Sequence, residues 1–189
     1  MITRREMLAG LMMVAGLAPA SAKARLSEDG LYQTEWYLDS FLDLAEDLGT
    51  ASRDGKRFAI LWGLRNCPAC RRMHEVHLAD PATEAYIREN FAILHLNILG
   101  AREVTDFDGT ALPEKEMAVR WGVMFTPTLI FLPESVEPGQ TAAESAVALM
   151  PGAFEKGTTR ALLTWVKDRG YDSGEHFQKF LARSLGANN

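Results

Sequence analysis

Apolar positions follow two rhythms along this chain. From Leu31 to Leu48, intervals of three and four bring Leu31, Leu38, Phe41, Leu42, Ala45 and Leu48 to one side. Glu35, Asp39, Asp43, Glu46 and Asp47 lie mostly on the other, so the stretch predicts an amphipathic helix. Gly49 is expected to end it, and residues 53–56 read as a turn. Phe58 to Trp62 is apolar on both alternating faces, the pattern of a buried strand. A helix is predicted from the residues just before Arg71 through Met73, Val76 and Leu78. Asp80-Pro81 breaks it and opens a second piece, Pro81 to Glu89. Phe91 to Ile98 predicts a strand, 102–112 a polar surface loop, Pro113 to Trp121 a short helix and Thr126 to Leu132 a strand. After a loop at 133–141, Ala146 to Met150 predicts a last strand. Phe154 to Arg169 predicts a helix, and Gly174 to Leu185 a final one on the outside. This order predicts one α/β domain on a mixed sheet.

Both cysteines, Cys67 and Cys70, fall where the first buried strand turns into a helix. A helix N-terminus presents unpaired N–H groups and a partial positive charge, which favour thiolate over thiol. A C-x-x-C in that context reads as a redox dithiol. As a structural bridge it would close too short a loop to stabilise much. His74 and His77 extend the pair to C-x2-C-x3-H-x2-H, a spacing too compressed to turn four ligands of one straight helix onto a zinc ion. Arg71 stands where haem attachment requires histidine. No metal or other cofactor is expected.

Composition changes this picture in two places. The 189 residues carry a formal net charge of −5, which lacks the electrostatic footprint of a nucleic-acid binder. Residues 1–22 read as an export signal: Arg4 and Arg5, an apolar run from Met7 to Leu17, then Ala20-Ser21-Ala22 before a cleavage point. The two arginines fit a twin-arginine signal as well as a general secretory one. Either route predicts a periplasmic location. The remainder, 23–189, is expected to form a single soluble domain without a membrane helix.

The segment from Phe58 to Glu75, with Cys67-Pro68-Ala69-Cys70, and the later Thr126-Pro127-Thr128 resemble the active-site strand, turn and helix and the facing proline loop of thioredoxin-like proteins. The resemblance runs over roughly residues 29–169. It implies the thioredoxin fold, a central mixed sheet flanked by helices, here with an N-terminal helix and an extra C-terminal one. It also implies a cis peptide before Pro127. Within this superfamily, Trp62 to Glu75, Asp80-Pro81, Tyr86 to Phe91, Arg102 to Gly109 and Phe125 to Thr128 are together similar to SoxW-type periplasmic thioredoxins of bacterial sulfur oxidation.

That resemblance implies a thiol–disulfide oxidoreductase. Cys67 is the expected nucleophile, with a pKa in the roughly 3.5–7.5 range of such thiols, and Cys70 the resolving thiol. Thr126 and Pro127 are expected to pair with an extended substrate. Pro68 and Ala69 shape the helix start, while Arg71 and His74 are candidates for tuning the thiols. For Arg71 and Arg72 a solvated basic face is the plainer reading, and for His74 a surface histidine. Trp62 and Trp121 are expected in the core. Two departures stand out: Leu61 occupies the position of the buried acid that relays protons in many thioredoxins, and Asn66 replaces the tryptophan before the first cysteine. Glu75 is a candidate substitute for the acid. Clients would be protein disulfides or thiols, and a membrane thiol transporter would supply electrons. A disulfide oxidase or isomerase, and a non-catalytic binding module, are the competing readings.

Overall fold

A computed structural model describes residues 24–186; the export signal read at 1–22 lies outside them. The chain opens with a two-stranded antiparallel ribbon, β1 (Arg25–Leu26) and β2 (Tyr32–Gln33). The central sheet holds β3 (Arg57–Gly63), β4 (Phe91–Asn97), β7 (Thr128–Phe131) and β8 (Ala148–Pro151) in the order β4-β3-β7-β8. β3 and β4 run parallel, whereas β7 is antiparallel to both β3 and β8. Parallel strands need a crossover. It is made by α2 (Pro68–Arg72), a π-helical turn (Met73–His77) and α3 (Pro81–Asn90).

Strand periodicity divides β3 between two cores. Phe58, Ile60 and Trp62 pack with Leu44, Leu48 and Ala51 of α1 (Leu44–Arg53) and with Met117 and Ala118 of α4 (Glu114–Arg120). Ala59 and Leu61 face the opposite layer, with Met73, Ile87 of α3, and Leu162, Leu163 and Val166 of α5 (Lys156–Lys167). The outer α6 (Phe177–Gly186) is joined to α5 by an edge contact of Phe177 on Trp165, ring centres 5.7 Å apart. Helices thus cover both faces of a mixed sheet, the arrangement the thioredoxin resemblance implies. Among the described residues, no helix is long and apolar enough to cross a membrane.

Two expectations are corrected. The helix predicted from Leu31 to Leu48 exists only from Leu44 to Arg53. Upstream the chain is held against the sheet instead: Leu38 N–H donates to the Ile93 carbonyl at 2.8 Å, and Phe41 faces solvent. Asp43 starts the helix by accepting from the N–H groups of Ala45 and Glu46, so the break is set by a cap that the apolar spacing ran through. Gly49 sits inside this helix, which ends at Asp54. The loop predicted at 102–112 carries a small hairpin, β5 (Glu103–Thr105) and β6 (Ala111–Pro113), with Val104 and Asp106 buried.

Candidate active site

β3 ends at Gly63, and a short turn through Asn66, in left-handed conformation, brings the chain to Cys67. Cys67 caps α2: its Sγ accepts the Cys70 N–H at 3.0 Å, and Pro68 takes the first helical position, where no N–H is needed. Cys67 and Cys70 are joined by a disulfide, with Cα atoms 5.2 Å apart. Cys67 is the more accessible, 8% exposed against 2% for Cys70. It opens into a shallow depression shared with Tyr32, Asn66, Pro68 and Arg71. Ala69 is half-buried in the first turn.

Opposite stands the Thr126–Pro127 bond, which is cis. The Thr126 carbonyl oxygen lies 3.5 Å from Cys67 Sγ, and Thr126 Oγ1 donates to the same sulfur at 3.5 Å. The Pro127 carbonyl accepts from Gly152 N–H, which ties this segment to the residue after β8. Met124 and Phe125, just upstream, are exposed. They border an apolar groove of about 260 Å³ that continues over Trp121, Thr128, Leu149 and Pro151.

The structure places Cys67, Cys70, Pro68, Ala69, Arg71, Thr126 and Pro127 around one site and moves His74 inside. His74 is 2% exposed, not on a solvated face. Its Nδ1 lies 2.8 Å from the Cys70 carbonyl oxygen, which can only accept, so Nδ1 carries the proton. Its Nε2 lies 2.5 Å from Tyr37 Oη, which therefore donates. Burial pushes the His74 pKa down and the Tyr37 pKa well up, so both stay neutral at physiological pH. Tyr32 stacks on the same imidazole at 5.4 Å. Arg71 and Arg72 are exposed; Arg72 pairs with Glu155 at 2.9 Å and Arg71 approaches Glu75 at 3.9 Å. Glu75 is exposed, and Leu61 is fully buried in the second core layer. Trp62 and Trp121 are core residues in edge contact. His77 is buried.

Sequence reasoning missed Tyr32, Tyr37 and His95. The two tyrosines lay in the segment read as helix, and nothing local links residue 37 to residue 74. His95, on β4, stands 4.8 Å from Tyr37 and 5.7 Å from His74 between ring centres. Gly63 makes room for it, since a Cβ there would come 2.5 Å from His95 Nε2. Burial, with His74 and Arg102 nearby, pushes the His95 pKa down to about 3. The unfolded chain therefore takes this proton first. Stability from His95 is complete above about pH 6.5 and is lost progressively towards pH 3. Asp47, pushed up to about 6 by burial, works in the opposite direction between about pH 6 and 3.8. The comparison is thus between wild type and His95→Leu in urea melts at matched pH. The variant gains on wild type as pH falls below 6.5; parallel profiles would refute the assignment.

Fold, disulfide and facing cis proline define a thioredoxin-fold protein with a dithiol site. Residues 44–152, more than half of the chain, match the model of the thioredoxin-like domain, and the protein belongs to that family. Among solved structures it is similar to a thioredoxin-fold protein from Helicobacter pylori, with 17% identity and a TM-score of 0.57 over 71% of this chain and 87% of that one. It is also similar to a thioredoxin from Thermus thermophilus, with 22% identity and a TM-score of 0.53 over 77% of this chain and 94% of that one. No curated protein matches the chain.

Proposed function

We propose that the protein is a periplasmic thiol–disulfide oxidoreductase of SoxW type, which reduces protein disulfides or sulfur-carrier cysteine adducts. The observation that carries this reading is the placement of Cys67. Its sulfur is the more accessible of the two, receives the Cys70 N–H, and faces the Thr126 carbonyl across the site. In the reduced protein that N–H and the helix start favour the Cys67 thiolate. The thiolate attacks a client disulfide: a Cys67–client bond forms, the client S–S bond breaks, and the departing client sulfur takes a proton from solvent. Cys70, deprotonated, then attacks Cys67 Sγ. The mixed disulfide breaks, the second client thiol leaves, and the Cys67–Cys70 disulfide closes. The client backbone lies along Thr126 and Pro127, with apolar side chains on the exposed Met124 and Phe125.

The periplasmic reading rests on the export-signal pattern read in residues 1–22 of the sequence. In that compartment, kept oxidising, a reductase draws electrons from a membrane thiol transporter. A disulfide oxidase is the second reading, favoured by Leu61: with no carboxylate buried there, no charge opposes a thiolate nearby. The midpoint potential of the purified protein, equilibrated against dithiothreitol, separates the two. The reductase reading expects a value near that of thioredoxin, about −270 mV. A value near about −120 mV means an unusually stabilised reduced form and a disulfide donor.

A further inference from the structure

We infer that His74 is a positioning residue for Cys70: clamped between the Cys70 carbonyl and the Tyr37 hydroxyl, it fixes the helix register that aims the resolving sulfur at Cys67. The inference rests on the exchange mechanism proposed above and assigns the control of its second step.

The active-site helix does not continue as an α-helix. After α2 the chain widens into the π turn Met73–His77, where Leu78 N–H donates to the Met73 carbonyl, five residues back, at 2.8 Å. At the junction, Met73 N–H is shared between the Ala69 and Cys70 carbonyls. A π turn amounts to one residue inserted into a helix. Relaxing it to an α turn would rotate α2 by about 100° relative to the downstream chain. The downstream chain cannot turn with it, because Met73 and Leu78 are buried in the second core layer. The register of this one turn therefore decides which way Cys70 faces.

His74 spans the junction. It belongs to the π turn, and its Nδ1–H reaches back to the carbonyl of Cys70 in α2. The ring is immobilised by three separate segments: Tyr32 of β2 stacks on it, Tyr37 donates to its Nε2, and His95 of β4 lies alongside. Tyr37 is itself fixed to the sheet through its bridge with Ile93. The contacts of His74 end on Cys70, not on the more exposed Cys67. A neutral imidazole with both nitrogens engaged serves as a brace rather than a base. It occupies the helix layer beneath the dithiol without adding charge.

The test uses the reduced protein and 5,5′-dithiobis(2-nitrobenzoate), followed by stopped-flow absorbance. The first release of thionitrobenzoate reports attack by Cys67 and the second reports resolution by Cys70. In His74→Leu the first phase is expected within about twofold of wild type and the second slowed about 10- to 100-fold, the scale of a misplaced reacting group. His74→Asn, whose amide N–H replaces Nδ1–H, is expected to restore the second phase to within about threefold. His74→Gln, whose amide reaches Tyr37 but not the carbonyl, is expected to behave like His74→Leu. Tyr37→Phe keeps the carbonyl bond, frees one side of the ring, and slows only the second phase by a smaller factor; it serves where His74→Leu does not fold. Equal slowing of both phases, or an unchanged second phase in His74→Leu and His74→Gln, overturns the inference. A wild-type protein that gives no first phase instead overturns the exchange mechanism itself.

Discussion

Cys67→Ser is expected to abolish disulfide reduction, by about a thousandfold or more, while Cys70→Ser stops after the first step and accumulates a mixed disulfide. The asymmetry follows from the positions of the two sulfurs. Cys67 borders the depression with Tyr32 and Arg71, whereas Cys70 is buried behind it and reaches a client only through Cys67. A serine hydroxyl is not ionised at neutral pH and forms no disulfide, so nothing in the site replaces the lost step. Without the resolving thiol, the Cys67–client bond persists until an external thiol breaks it. Insulin reduction measures the first effect. Non-reducing gels of Cys70→Ser incubated with a cell extract reveal the second, and the trapped band identifies the client. If Cys67→Ser still supports function in cells, the protein acts as a binding module and the dithiol is incidental. If Cys70→Ser forms no adduct while Cys67→Ser does, the two thiols exchange roles.

The other large effect is expected at Asp106, far from the sulfurs in sequence. Asp106→Ala should lower stability by about 3–5 kcal/mol, as loss of one partner from a buried charged network does. The carboxylate is 2% exposed and accepts from four groups: the Trp121 indole at 2.7 Å, Arg120 Nη1 at 2.9 Å, Ala142 N–H at 2.9 Å and Phe107 N–H at 2.8 Å. Arg120 retains Asp108 in the variant, but the Trp121 and Ala142 donors are left buried without a partner. Trp121 ends α4, packs against Trp62, and begins the run that leads to Phe125 and the cis proline. For a domain of this size the melting temperature should drop by about 10 °C, read by circular dichroism. Asp106→Asn, which keeps an acceptor oxygen, should fall between. A change under about 1 kcal/mol for Asp106→Ala would show that the network is not coupled to folding.

Asp106 also marks the limit of legibility in the chain. It sits in a stretch whose polarity reads as surface loop, yet its charges turn inward because donors from α4 and from residue 142 meet there. The N-terminal segment misled in the opposite way. Its apolar spacing fits a helix, but Asp43 supplies a cap only at residue 43, and the residues before it find backbone partners on β4. Both errors arise because polarity and periodicity report burial on a single element, whereas these residues are satisfied by neighbours distant in sequence.

By itself, the sequence determined the strand, turn and helix around Cys67 and Cys70. There the apolar run, the proline at the first helical position and the cysteine spacing are all local properties. It also determined the later strand opened by Thr126-Pro127-Thr128, and the absence of a carboxyl group at Leu61. Only the tertiary structure decided that His74 is buried and neutral, and that Tyr37 and His95 surround it. The physical reason is the parallel crossover. It places β4 beside β3 and carries the π turn over both, so His74 and His95 meet Tyr37 only once the sheet is assembled.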